Sequence, residues 1–321
     1  MIGQTLSGRR YQIISELGRG AFGQTYLAED TQMPQKVHCV VKQLKPRNTD
    51  PYTLKRAKEL FEQEAKVFKK LGEYDQITRL FAYFEENQEF YLVQELIDGK
   101  DLKKEFTSIG KLSEDEVISL LRDILEVLVF IQQHNVIHRD LKTSNLMRRA
   151  SDGKTVVIDF GAVKEKISTQ GQTRGSFAGT PGYMPSEQFN GKPQLCSDIY
   201  AVGMIGIQAL AGKSPTQLPM DNDDEVVWRN LVQVSDELAA ILTKMVCEQP
   251  GDRYQSAAEV LQALENLDSS VTPTISTQNT TVQSQITKIR QRNSFLLALM
   301  GLVGVAALVF MFVFLPKFRE G

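Results

Sequence analysis

The stretch that most constrains this chain runs from Val136 to Gly161. After apolar Val136-Ile137 come His138-Arg139-Asp140-Leu141-Lys142-Thr143-Ser144-Asn145, all polar or charged except Leu141. Downstream, Thr155-Val156-Val157-Ile158 predicts a strand that ends in Asp159-Phe160-Gly161. Strand ends bearing Asp, Lys, Asn and a second Asp supply hard oxygen ligands for Mg²⁺, a cation for phosphate and a carboxylate to orient a hydroxyl. The competing reading is a set of ordinary polar turn residues, and the combination of spacings disfavours it.

The rest of the chain must build a scaffold for that stretch. Tyr11–Leu17, Gln24–Glu29, Val37–Lys42 and Phe90–Glu95 are short runs of β-formers bounded by Gly, Pro, Asn or Asp. One long helix, 51–71, interrupts them. From about residue 112 the pattern turns helical: Ser113-Glu114-Asp115-Glu116 is a capping box leading into Val117–Gln133. Further helices are predicted at Ser197–Ala211, Ser235–Cys247 and Ser256–Leu267. A small β-rich lobe followed by a larger α-rich lobe is an α+β architecture.

Residues 268–293 are rich in Ser, Thr and Gln and predict a solvated linker. Phe295–Leu315 then runs 21 residues without a charge. At 1.5 Å per residue this is ~31 Å, the thickness of a hydrocarbon core, so 294–316 is predicted to be a transmembrane helix with 317–321 as a short tail. A buried core helix or an oligomerisation helix is the alternative. Met1–Arg10 has no apolar run of seven, so no signal peptide is expected and the N-terminal domain is expected in the cytoplasm. A formal net charge of −2 gives no reason to expect a nucleic-acid partner. Three unevenly spaced cysteines form no disulfide framework or zinc motif. Cys39, Cys196 and Cys247 read as core or surface thiols, and His38 and His134 as structural or solvated.

Two upstream features bear on that stretch. Leu17-Gly18-Arg19-Gly20-Ala21-Phe22-Gly23-Gln24-Thr25-Tyr26 places a GxGxxG pattern between two predicted strands. Glycines let backbone amides approach a phosphate, although a glycine-rich hairpin reads equally well from this pattern alone. A dinucleotide fold requires a helix directly after the loop, and a strand stands there instead. Lys42 ends the apolar Val40-Val41 run. On the following helix Phe61, Ala65 and Phe68 share one apolar face with Glu64, whereas Glu62 lies off it beside Lys66 and Lys69. A carboxylate on a buried stripe needs a cation, and Lys42 is the candidate.

Gly18–Gly23, Lys42, Glu64, His138–Asn145 and Asp159-Phe160-Gly161 resemble the protein-kinase signature set in order and spacing. The resemblance covers about Tyr11–Leu267, some 80% of the chain. It is nearest to bacterial eukaryotic-type Ser/Thr kinases, and Gly23-Gln24-Thr25-Tyr26-Leu27-Ala28-Glu29-Asp30 is like cyanobacterial members. The implied domain is 11–267, with an N-lobe at 11–96 and a C-lobe at 97–267. Lys142 and Gly179-Thr180 resemble the Ser/Thr branch. The resemblance implies ATP with Mg²⁺ or Mn²⁺ as cofactors, Ser/Thr proteins including itself as substrates, and leaves a homodimer open. It implies that Leu17, Gly18, Arg19, Gly20, Ala21, Phe22, Gly23, Gln24 and Thr25 cover ATP. Lys42, braced by Glu64, holds the α/β-phosphates, and Asn145 and Asp159 bind the metal. Asp140 accepts the hydroxyl proton and Lys142 steadies the γ-phosphoryl group. Gln94 resembles the gatekeeper, Glu95–Ile97 the adenine hinge and Leu146 the floor beneath it. With the anchor, the expected location is the cell membrane, single-pass, kinase domain inward.

Three departures stand out. Thr25 replaces a valine, Thr143 replaces a proline and is expected to add freedom, and Pro185-Ser186-Glu187 replaces Ala-Pro-Glu. Glu187 is expected to pair with Arg253, and Asp198 to anchor the loop at 138–145. Arg139 is expected to meet a phosphorylated Thr173 or Ser176 in the segment 162–179. The rival reading is a pseudokinase scaffold, which the intact Lys42, Asp140, Asn145 and Asp159 disfavour.

Overall fold

The strands up to Glu95 form one antiparallel sheet. The computed structural model describes residues 1–20, 23–44, 50–160, 164–165 and 179–270. All belong to one compact unit, Met1–Ser270. The sheet contains β1 (Thr5–Leu6), β2 (Tyr11–Gly20), β3 (Gly23–Asp30), β4 (Val37–Leu44), β5 (Leu80–Glu86) and β6 (Glu89–Glu95), in the order β1-β2-β3-β4-β6-β5. Successive residues of a strand face opposite sides. On β4, Cys39 and Val41 therefore enter a core with Tyr11, Ile13, Tyr26 and Tyr91, while Lys42 projects from the other face. That second face is covered by α1 (Pro51–Leu71), whose Phe61 and Ala65 pack on Phe90 and Leu92.

The strands run longer than predicted. β2 continues to Gly20 because register shifts between Ile13 and Ser15 and between Glu16 and Gly18 let it bend without ending. β5 was not predicted: Phe81 and Tyr83 occupy its exposed positions, which erases the polar-apolar alternation that marks a half-buried strand.

The helical lobe is built around α3 (Glu114–Gln133) and α5 (Leu195–Ala211). α3 begins three residues earlier than predicted because the capping box is formed. The Ser113 amide donates to Glu116 Oε2 at 2.8 Å, and the Glu116 amide donates back to Ser113 Oγ at 3.4 Å. α5 is apolar on every side and buried throughout most of its length, as a central core helix must be. α6 (Asp236–Met245) and α7 (Ala257–Ser270) pack around it and α3, with Ser235 capping α6. Trp228 is buried in the same core. Gly203 is required by close approach: a Cβ there would stand 2.7 Å from Val246 Cγ1 and 2.9 Å from Met245 Cβ.

Short elements join the lobes. β7 (Gly99–Asp101) leads into α2 (Leu102–Ile109), an eight-residue helix that was not predicted; β7 also pairs with β9 (Leu146–Arg149), itself paired with β10 (Thr155–Val157). β8 (Val136–Ile137) pairs with β11 (Lys164–Glu165), and α4 (Ser186–Phe189) precedes α5. The lobes meet in one continuous apolar cluster that includes Phe68 and Leu71 of α1 and Leu121, Leu125 and Leu128 of α3. Among the described residues no helix is long and apolar enough to cross a membrane. The predicted linker beyond residue 270, the span at 294–316, Thr173 and Ser176 lie outside the described residues.

Replacing Gly203 by valine should cost about 1–3 kcal/mol of stability through overpacking against Val246 and Met245. Gly18→Ala, whose Cβ meets nothing within 4 Å, should stay within about 0.5 kcal/mol. Urea unfolding of both variants gives the comparison.

Candidate active site

Asp198, near the start of α5, sets the loop that carries most of the site. Its Oδ2 accepts the His138 amide at 2.7 Å and its Oδ1 accepts the Arg139 amide at 2.8 Å. Burial pushes this carboxyl up to about 7 against the pull of those two donors. Arg139 adopts φ of +69°, a left-handed conformation that a side chain disfavours and that the bonds to Asp198 hold in place. His138 is fully buried, its Nδ1 accepts the Asp140 amide at 3.3 Å, and burial drives its pKa down to about 4, so the ring is neutral at pH 7. Its ring lies 4.8 Å from that of Phe160, which lies 5.1 Å from Phe68 on α1. Three rings thus tie the loop, the end of the predicted Asp-Phe-Gly strand and α1 together.

The Asp140 carboxylate is the hub. Oδ2 accepts Lys142 Nζ at 2.7 Å and Asn145 Nδ2 at 3.1 Å, and Oδ1 accepts the Thr180 hydroxyl at 2.6 Å. Lys142 Nζ also donates to Thr180 Oγ1 at 2.8 Å, and Asn145 Nδ2 to the Asp140 carbonyl at 2.8 Å. With its amide nitrogen so engaged, Asn145 keeps its carbonyl oxygen as an acceptor.

Lys42 arrives from the sheet. In the register of β4 it stands between Thr25 of β3 and Leu92 of β6. Its Nζ lies 3.1 Å from Asp159 Oδ1 and donates to the Ile158 carbonyl at 3.1 Å. Glu64 is buried on the Phe61-Ala65-Phe68 stripe while Glu62 is exposed, as the helical spacing predicts. The expected brace between Lys42 and Glu64 is not formed, however. Among the described residues the Lys42 ion pair goes to Asp159. Burial pushes the Glu64 carboxyl well above the usual carboxylate range; Lys42 opposes that rise and Asp159 adds to it. A carboxyl that holds its proton offers little charge to an ammonium, and the more exposed Asp159 takes the partner.

The glycine hairpin divides by position. Gly23 has φ of +155°, and a Cβ there would collide with the Gln43 carbonyl oxygen at 1.8 Å, so the paired strand requires this glycine. Gly18 faces open space, and Leu17 and Arg19 beside it are exposed. Gly20 ends β2, and Gln24 and Thr25 lie on β3. Ala21 and Phe22 lie outside the described residues. At the lobe junction Gln94 is buried, with its Nε2 unpartnered. The Glu95 amide donates to the Arg79 carbonyl at 2.9 Å and its carbonyl accepts the Thr78 hydroxyl at 3.1 Å, leaving a second lone pair. Ile97 and Leu146 are buried apolar residues at that junction.

The segment after residue 179 is fastened to the loop at several points that the sequence did not disclose. Thr143 is buried, with its hydroxyl 3.3 Å from that of Tyr183, which donates in turn to Gln208 of α5. The expected added freedom at Thr143 is therefore absent, because its hydroxyl has found a partner. Gln188 Nε2 donates to the Arg139 carbonyl at 2.5 Å. Thr180 was visible only as a branch marker, not as a ligand of Asp140. The expected Glu187–Arg253 pair is present and buried, at 2.6 and 3.1 Å, with Ser197 also donating to Glu187 at 2.6 Å.

These donors suit a magnesium nucleotide. Asp159 and Asn145 offer hard oxygens, and among the described residues no trio of His, Cys, Asp and Glu gathers into a self-sufficient metal cage. An ion that keeps several ligands from phosphate and water needs only one or two protein oxygens.

Glu64→Gln gives a test of the buried carboxyl. Its raised pKa makes its contribution greatest below the ordinary carboxylate range and progressively lost as pH rises through the folded value. The glutamine variant lacks this titration, so its stability relative to the parent should improve from pH 5 to pH 9. Urea midpoints across that range read the difference.

The protein kinase domain model matches residues 11–265. Serine/threonine-protein kinase PknA of Nostoc sp. is 41% identical over 280 residues, covering 85% of this chain and 50% of that protein. Serine/threonine-protein kinase C of Synechocystis sp. is 43% identical over 274 residues, covering 83% and 51%. The chain thus spans about half the length of these curated relatives. The solved kinase domain of Mycobacterium tuberculosis PknI superposes with a TM-score of 0.63 at 21% identity, covering 83% of this chain and 98% of that one. With its two lobes, its loop bound to Asp198 and its Asp140 hub, this chain belongs to the protein kinase domain family.

Proposed function

We propose that the chain is an ATP-dependent serine/threonine protein kinase of signalling, anchored in the cell membrane by one helix, with itself among its substrates. The observation that carries the activity is the Asp140 carboxylate. It already accepts an aliphatic hydroxyl, that of Thr180, at 2.6 Å, with Lys142 bound to both partners. A substrate serine or threonine presents the same group.

Each residue then has a part. The hairpin around Leu17, Gly18, Arg19 and Gly20 closes over the nucleotide with Thr25, while Glu95, Ile97 and Leu146 frame the adenine. Lys42 binds the α/β-phosphates, and Glu64 stands behind it on α1. Asp159 and Asn145 hold Mg²⁺ or Mn²⁺, which when bound neutralises charge on the phosphates. Asp140 orients the hydroxyl and takes its proton; Lys142 steadies the γ-phosphoryl group as the bond to it loosens. Little covalent chemistry is asked of the protein, so rate comes from positioning and charge stabilisation. The 40–43% identity to several cyanobacterial Ser/Thr kinases supports the choice of hydroxyl acceptor.

Asp140→Asn should lower phosphoryl transfer to a serine peptide by about 10²–10⁴-fold and leave nucleotide binding in place. Radiolabelled ATP and equilibrium binding on the full chain separate the two, and equal transfer by the variant refutes the assignment. Anchoring is supported by the uncharged 21 residues of Phe295–Leu315. Carbonate-washed membranes should retain the full-length chain, and its appearance in the wash would remove the anchor from the reading.

A further inference from the structure

We infer that the cleft between β2 and α2 selects polypeptide substrates with acidic side chains close to the phosphoacceptor hydroxyl. This rests on the kinase reading above and deepens it. The cleft has a volume of about 600 Å³. Arg19 lines it next to the hairpin residues Leu17 and Gly18, Lys103 and Lys104 line it from α2, and Ser144 lines it from the loop that carries Asp140. Ser144 precedes Asn145, whose side chain bonds Asp140. The cleft therefore adjoins the loop on which the phosphoacceptor hydroxyl would sit.

The charge of the lining is unbalanced. Asp101 is its one carboxylate, and that group is already committed: Oδ1 accepts the Lys104 amide at 2.8 Å and Oδ2 pairs with Lys104 Nζ at 2.9 Å. Neither Arg19 nor Lys103 forms an ion pair among the described residues. The cleft thus carries a local excess of two positive charges on a chain whose formal net charge is −2. A concave site of one sign concentrates ligands of the other.

Lys104 pairs with the Asp101 cap of its own helix, whereas Lys103 has no such partner among the described residues. Both occupy the first turn of α2, where the backbone dipole disfavours cations. Their side chains are exposed beside the cleft and form no part of the apolar core. The place of Lys103 in the fold is explained by what passes in front of it.

The test uses the full chain in detergent with three serine peptides differing only near the acceptor: neutral, glutamate-bearing and lysine-bearing. The glutamate peptide should have a KM about 5- to 10-fold below that of the neutral one, as expected for two partly exposed charge pairs, and the gap should shrink as salt is raised. Lys103→Glu should abolish or reverse the preference, and Lys103→Gln should fall between. Both variants suit the first turn of a helix, so folding should persist, which circular dichroism checks. The KM for ATP should not follow these changes. Equal KM for the neutral and glutamate peptides in the parent overturns the inference. So does a preference untouched by Lys103→Glu, or a shift confined to the KM for ATP, which would assign the cations to nucleotide phosphate. Absence of label on every peptide overturns the kinase reading itself, and the inference with it.

Discussion

The loop that carries Asp140 hangs from a single buried carboxyl. Asp198 receives the amides of His138 and Arg139 and so dictates the path of the chain immediately before Asp140. A left-handed arginine costs on the order of 1–3 kcal/mol, and two hydrogen bonds to a buried carboxyl are of the size needed to offset it. With that bend in place, Asp140 follows with its side chain in reach of Lys142, Asn145 and Thr180. Asp198 thus supports the hub without being one of its groups.

A second level of organisation joins what the chain order keeps apart. The sheet delivers Lys42 through strand register, and the ring series Phe68, Phe160, His138 connects α1 to the loop through apolar contact. On the other side, Thr180, Tyr183 and Gln188 bind the following segment to Asp140, Thr143 and Arg139. Glu187 with Arg253 then fixes that segment to the helical lobe; removing one partner of such a fully desolvated pair typically costs 3–5 kcal/mol. Rigid elements on both sides leave the reactive carboxylate little room to wander.

The legible parts of this arrangement were those written in local pattern. Helical spacing distinguished Glu64 from Glu62, because burial of one face is a property of residues three and four apart. The capping box at Ser113 announced α3, and the order of Lys42, Asp140, Asn145 and Asp159 announced the fold. What stayed hidden was set by contacts across the fold. The Thr143 hydroxyl looked loose because Tyr183 and Gln208 lie far along the chain. The choice of Asp159 over Glu64 depends on how burial weakens one of two carboxylates competing for Lys42. α2 escaped because eight residues are too few to display a helical period, although Asp101 and Gly110 cap it.

The contact between Lys42 and Asp159 has a consequence for what the pocket can welcome. At 3.1 Å the two cancel one another. A lone anion has to compete with the aspartate for the ammonium, and a lone cation has to compete with the ammonium for the aspartate. A guest bearing both signs relieves both at once, swapping one matched couple for two. The resting pocket is in this sense a lock against simple salts, opened by a ligand that is itself a complex.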